Sequence, residues 1–169
     1  MNIEKLNNTE SQILKEEFLK CCGSNSWAEK LVEQRPFSDQ EDLFKKSDSI
    51  WEQLDKADFL EAFAQHPKIG DINSLAKKFA HTKQWAENEQ SGVDSAPDKT
   101  IEELAEYNKK YEDKYSYIFI VCATGKSAQE MLDILKSRIN NDPQLELKTA
   151  ANEQNKITKI RLEKLLMAY

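Results

Sequence analysis

Helix breakers are scarce in this chain: four glycines and four prolines among 169 residues leave room for many helices joined by short turns. Cysteine is scarce too. The three present are an odd number, and Cys21 and Cys22 are neighbours, which argues against a disulfide framework and fits a reducing compartment. No run of about eighteen apolar residues occurs, so no membrane-spanning helix is expected, and Met1 to Lys5 hold no apolar leader. Dense Lys/Arg runs interleaved with aromatics are missing and the net charge is −6, so neither nucleic acid nor an anionic membrane surface is an expected partner. His66 and His81 are the only histidines, and no Cys/His pair shows metal-ligand spacing, so no metal is expected. Gly125-Lys126-Ser127 looks like the tail of a phosphate-binding loop but lacks the earlier glycine. The expectation is a soluble, cytoplasmic protein.

What is present favours an all-α, single-domain helical bundle of about eight helices over residues 1–169. Charged residues make up 32% and apolar residues 39%, a balance that suits amphipathic helices. Ser/Thr followed three residues later by Glu/Gln marks helix starts at Thr9, Ser26, Ser38, Thr100 and Ser127. Leu43, Phe44, Ser47, Ile50, Trp51 and Leu54 form one stripe, and Phe59, Leu60 and Phe63 lead a further helix into His66-Pro67. A sparser pattern at Leu75, Phe79 and Trp85 predicts another helix between Asp71 and Gln90. Asn140 to Pro143 reads as a turn and helix start, and the last helix runs from about Leu145 to the end.

Two stretches do not fit a plain bundle. Gln65-His66-Pro67-Lys68-Ile69-Gly70-Asp71 gathers a histidine, a proline, a glycine and an acid where a helix stops. Histidine titrates near neutrality, and proline restricts the backbone beside it. The bland alternative is a capping or packing histidine. Tyr115 to Thr124 has strand propensity but no second strand to pair with, so it is either helical or an extended apolar segment, near 117–123, whose N–H and C=O groups serve another purpose such as a ligand. On the last helix, Arg161 shares a stripe with Leu147, Ala150, Ala151, Gln154, Ile157, Thr158 and Leu165. A guanidinium buried there needs an anionic or carbonyl partner, whereas a snorkelling one does not. Cys122, a conceivable nucleophile, sits in apolar surroundings that disfavour a thiolate, so a packing role fits it better.

Five motifs in order resemble those of one family: His66-Pro67 with Ile69-Gly70-Asp71; Glu89-Gln90 with Gly92; Phe119 to Ala123 with Gly125-Lys126; Asn141-Asp142-Pro143 with Glu146-Leu147; and Ile160-Arg161-Leu162. Together they look like the 2-oxo-4-hydroxy-4-carboxy-5-ureidoimidazoline (OHCU) decarboxylases of urate degradation. The resemblance implies an all-helical fold, often a homodimer, with neither metal nor organic cofactor. It implies His66 as the catalytic histidine, Glu89 as its acidic partner and Arg161 as a third functional residue. Pro67, the stretch Ala86, Glu87, Asn88 and Gln90, and the stretch Phe119, Ile120, Val121, Cys122 and Ala123 match segments that contact the ureidoimidazoline substrate. The chain departs from the family at Ala86, where serine or threonine is common. It departs again at Ser116-Tyr117-Ile118-Phe119, where Gly-Phe-Pro-Phe is usual, and at His66 to Asp71, where many members read His-Pro-Asp-Leu-Ala-Gly.

The implied reaction is cofactor-independent decarboxylation to (S)-allantoin. Two other classes remain open at this stage: a non-catalytic helical interaction module on the same scaffold, and a metal-assisted ureide hydrolase.

Overall fold

The computed structural model describes residues 1–67 and 97–168. Among these the chain is helical: α1 Ile3–Asn8, α2 Ser11–Cys21, α3 Asn25–Glu33, α4 Gln40–Glu52, α5 Lys56–Ala64, α6 Pro97–Tyr115, α7 Ala128–Arg138 and α8 Pro143–Met167. The all-α expectation is met. The helix expected between Asp71 and Gln90 lies outside the described residues. The chain divides into two compact units, Met1–His66 with Leu147–Tyr169, and Pro67–Glu146.

In the first unit, Leu14, Phe18, Trp27, Leu31 and Leu43 lose all contact with solvent. Each such side chain contributes about 1.5–3 kcal/mol of burial. The Phe18 and Trp27 rings meet edge to face with centroids 5.8 Å apart. The α4 stripe is as expected, with Leu43, Ser47, Ile50, Trp51 and Leu54 buried. Trp51 Nε1–H donates to the Ala151 carbonyl at 3.0 Å, tying α4 to α8.

Helix starts differ from the Ser/Thr reading in four of five places. Thr9 ends α1, its hydroxyl donating to the Lys5 carbonyl at 2.7 Å, while Glu10 caps α2. Ser24 rather than Ser26 caps α3, which brings Trp27 and Leu31 into the core. Asp39 rather than Ser38 caps α4, since a carboxylate is the better acceptor at the positive end of a helix. Pro97, preset for a first helical position, starts α6 ahead of Thr100. Ser127 with Glu130 forms the expected capping box, and Asp55 with Asp58 forms another on α5.

The second unit packs α6 on α7 through Ile101, Leu104, Tyr111, Tyr115, Met131, Leu132 and Leu135. The connection between them contains residues 117–123, extended and not helical, with Ile120, Val121 and Cys122 buried. Ser116, at the C-terminal end of α6, has φ 65°. The Lys126 N–H donates to the Ala123 carbonyl at 3.0 Å, closing a turn in which Gly125 has φ 74°, a conformation glycine adopts without strain.

Candidate active site

His66 follows α5 because that helix tightens at its end. The Gln65 and His66 N–H groups donate to the Ala62 and Phe63 carbonyls at 3.3 and 3.2 Å, and Pro67 comes next. Buried Phe63 anchors the final turn. Gly23 sits against the same turn: a Cβ there would lie 2.2 Å from Gln65 Cγ and 2.6 Å from Gln65 Cβ. Only a glycine lets the α2–α3 connection come this close to the residue preceding His66.

The half-buried imidazole meets Gln154, with Nε2 2.5 Å from Gln154 Oε1. Gln154 is fully buried and its Nε2 lies 3.2 Å from Thr158 Oγ1. The Thr158 hydroxyl in turn donates to the Gln154 carbonyl at 3.0 Å. Thr158 also touches Cys22, whose thiol burial pushes up to about 11. Gln154, Thr158 and Arg161 are spaced i, i+4, i+7 and so share one face of α8. Arg161 stands about 10 Å of helix rise beyond Gln154. It is half-buried and borders a shallow depression together with Glu17, Lys20, Cys21 and Lys164. Gln154, which meets the histidine, and Arg161 therefore lie on one face of α8.

The second unit holds the extended segment by another device. Arg138 is buried and paired with fully buried Glu146. Its Nε and Nη2 lie 2.9 and 2.5 Å from Glu146 Oε1, and its Nη1 donates to the Ile120 carbonyl at 2.8 Å. Tyr111 Oη donates to Glu146 Oε1 at 2.5 Å, and Asn141 Nδ2 to Oε2 at 2.9 Å. Burial and the Glu146 charge push the Tyr111 phenol far above its ordinary range. The Arg138 guanidinium also stacks over the Phe119 ring, 4.6 Å from its centroid. The demand for a buried partner, raised for Arg161, is thus met in full at Arg138.

This network accounts for part of the backbone that the extended run leaves without a ladder. The Ile120 carbonyl serves Arg138, the Cys122 carbonyl accepts from Lys126 Nζ at 2.8 Å, and the Ala123 carbonyl accepts from the Lys126 N–H. Any substrate contact by these residues therefore falls to their N–H groups or to second carbonyl lone pairs. Glu89 and the stretch Ala86, Glu87, Asn88 and Gln90 lie outside the described residues. Among the described residues, no group of three or more His, Cys, Asp or Glu side chains is placed to hold a metal ion. The contacts of Gln154, Gly23 and the Arg138–Glu146 pair were not foreseen from the sequence. The signals were present as a polar residue on an apolar stripe, a helix-stop glycine, and the Asn-Asp-Pro motif with Glu146.

The family profile described as OHCU decarboxylase matches residues 7–163. The uric acid degradation bifunctional protein TTL of Arabidopsis thaliana is 36% identical over 154 residues, covering 91% of this chain and 48% of that protein. The chain thus spans about half the length of that relative. A 2-oxo-4-hydroxy-4-carboxy-5-ureidoimidazoline decarboxylase of Halalkalicoccus jeotgali is 25% identical over 170 residues, covering 98% of this chain and 92% of its own. A crystal structure of an OHCU decarboxylase in the presence of (S)-allantoin superposes with a TM-score of 0.72 at 34% identity, covering 94% of this chain and 99% of that one.

Proposed function

Because the chain belongs to the OHCU decarboxylase family, we propose that it decarboxylates 2-oxo-4-hydroxy-4-carboxy-5-ureidoimidazoline to (S)-allantoin in urate degradation. The observation that carries this reading is the likeness, along nearly the whole of both chains, to the OHCU decarboxylase crystallised with (S)-allantoin. The profile match runs through both compact units, which supports reading 1–169 as a single domain. The buried free thiols Cys21, Cys22 and Cys122 fit a cytoplasmic setting, and the family resemblance supports a homodimer.

Breaking the bond between C4 and the carboxylate releases carbon dioxide and leaves the electron pair on C4. The neighbouring imine and carbonyl system takes up that pair, so the substrate serves as its own electron sink. The 4-hydroxyl then gives up its proton to become the ring carbonyl, and one proton delivered to one face of C5, the carbon that bears the ureido group, gives a single enantiomer of allantoin. His66 acts as general acid/base at the 4-hydroxyl or C5. Pro67 restrains its backbone, Glu89 orients it or accepts from ureido N–H groups, and Arg161 grips a substrate carbonyl or carboxylate through its fork. Phe119 to Ala123 and Ala86 to Gln90 line the substrate. Preorganised charges of this kind are commonly the largest catalytic contribution.

The test is to generate the substrate freshly from urate and follow allantoin by circular dichroism. Spontaneous decay gives racemate and a flat trace, whereas the enzyme gives a signed signal. His66→Asn is expected to lower the rate by about 100-fold or more. A flat trace with folded wild-type protein refutes the activity, and a wild-type rate in His66→Asn refutes the assignment of His66.

A further inference from the structure

The Gln154 amide is oriented by a chain of bonds that begins on its own backbone. The Thr158 hydroxyl has a single hydrogen, which it gives to the Gln154 carbonyl at 3.0 Å. Toward the Gln154 side chain, Thr158 Oγ1 can then only accept, so the group 3.2 Å away must be the amide Nε2. Reversing the amide would require the Thr158 hydroxyl to turn from the Gln154 carbonyl to Oε1 and give up the 3.0 Å bond. Gln154 has 0% and Thr158 1% of its surface exposed, so water does not replace that bond.

With Nε2 committed to Thr158, Oε1 is the atom that faces His66 Nε2 at 2.5 Å. An amide oxygen only accepts. The ring nitrogen opposite it must carry a hydrogen, in the neutral imidazole as in the imidazolium. We propose that Gln154 is a positioning residue that holds His66 as its Nε2–H tautomer, so that the ring takes up and releases its catalytic proton through Nδ1. The catalytic consequence rests on the role proposed for His66, while the tautomer rests on the orientation of the Gln154 amide between Thr158 and the ring. A third group that sets the tautomer of a catalytic histidine acts by the same principle as the aspartate of a Ser-His-Asp triad.

Long-range proton–nitrogen NMR spectra of the ¹⁵N-labelled full chain test this directly. With two histidines in the sequence, the His66→Asn variant assigns the signals. In wild-type protein, at a pH where the ring is neutral, the expected pattern has the proton on Nε2. Gln154→Glu keeps an acceptor oxygen and is expected to keep that pattern, whereas Gln154→Met is expected to give a mixture of tautomers. In allantoin formation, Gln154→Met is expected to lower kcat about 10- to 100-fold with KM within about twofold.

An Nδ1–H tautomer in the wild type overturns the proposal, and that spectrum needs no variant to fold. Unchanged tautomer populations in natively folded Gln154→Met overturn it as well. If the wild type makes no allantoin yet shows the Nε2–H pattern, the activity reading fails while the tautomer assignment stands.

Discussion

Two backbone positions carry more of the architecture than their side chains suggest. Ser116 has φ 65°, a left-handed conformation that costs a non-glycine residue about 1–2 kcal/mol. Glycine adopts this conformation without that cost. Ser116 is exposed, so its side chain is not held in a core. Ser116→Gly is expected to raise stability by about 0.5–1 kcal/mol after the greater freedom of glycine in the unfolded chain is deducted, read as a shift in the urea midpoint. Gly23 is the opposite case. Gly23→Ala must displace Gln65, whose Cβ would lie 2.6 Å away, and with it the turn that ends in His66. The expected outcome is a loss of about 1–3 kcal/mol in urea unfolding, accompanied by a fall in kcat.

At the scale of elements, the family motif around Asn141-Asp142-Pro143 and Glu146 has a mechanical meaning. Asp142 Oδ1 accepts from the Gln144 and Leu145 N–H groups at 3.0 and 3.1 Å, starting α8. Glu146, in its first turns, then receives Arg138, Tyr111 and Asn141. This ties α6, α7 and the start of α8 to the extended run through the Ile120 carbonyl. Glu146→Ala leaves a buried guanidinium unpaired and is expected to cost about 3–5 kcal/mol. Tyr111→Phe removes one bond to a charged acceptor and is expected to cost about 1.5–3 kcal/mol. Chemical denaturation of both variants checks the order of these losses. If Glu146→Ala proved no worse than Tyr111→Phe, the ion pair would not be the principal clamp on the segment.

Across the whole molecule, the buried thiols couple stability to alkaline pH. Burial pushes Cys21 from 9.0 to about 12 and Cys22 from 9.0 to about 11. Below pH 9 both thiols are protonated in the folded and unfolded chains alike. Above it the unfolded thiols ionise first, so the unfolded state binds fewer protons and stability falls as pH rises, levelling off once the folded thiols also ionise. The loss is of order a few kcal/mol. Urea midpoints measured from about pH 8 to 11 are expected to decline, and the Cys21→Ala/Cys22→Ala double variant to decline less steeply.

Much of this was legible residue by residue. The scarcity of glycine and proline and the three-to-four spacing of apolar residues determine an all-helical chain, because both act through neighbours within one or two helical turns. The stop at His66-Pro67 and the capping box at Ser127 follow from equally local stereochemistry, and the five motifs point to the family, whereas the sequence alone leaves the run ending at Ala123 open between helical and extended. Other choices belonged to the tertiary structure. Glu10, Ser24 and Asp39 cap helices ahead of the nearby Thr9, Ser26 and Ser38 because burial and bonding partners select among adjacent candidates. Arg138 rather than Arg161 is the arginine in a buried ion pair because Glu146 is folded against it. The 88 positions that separate His66 from Gln154 put their bond beyond any periodicity, and only packing brings the amide to the imidazole.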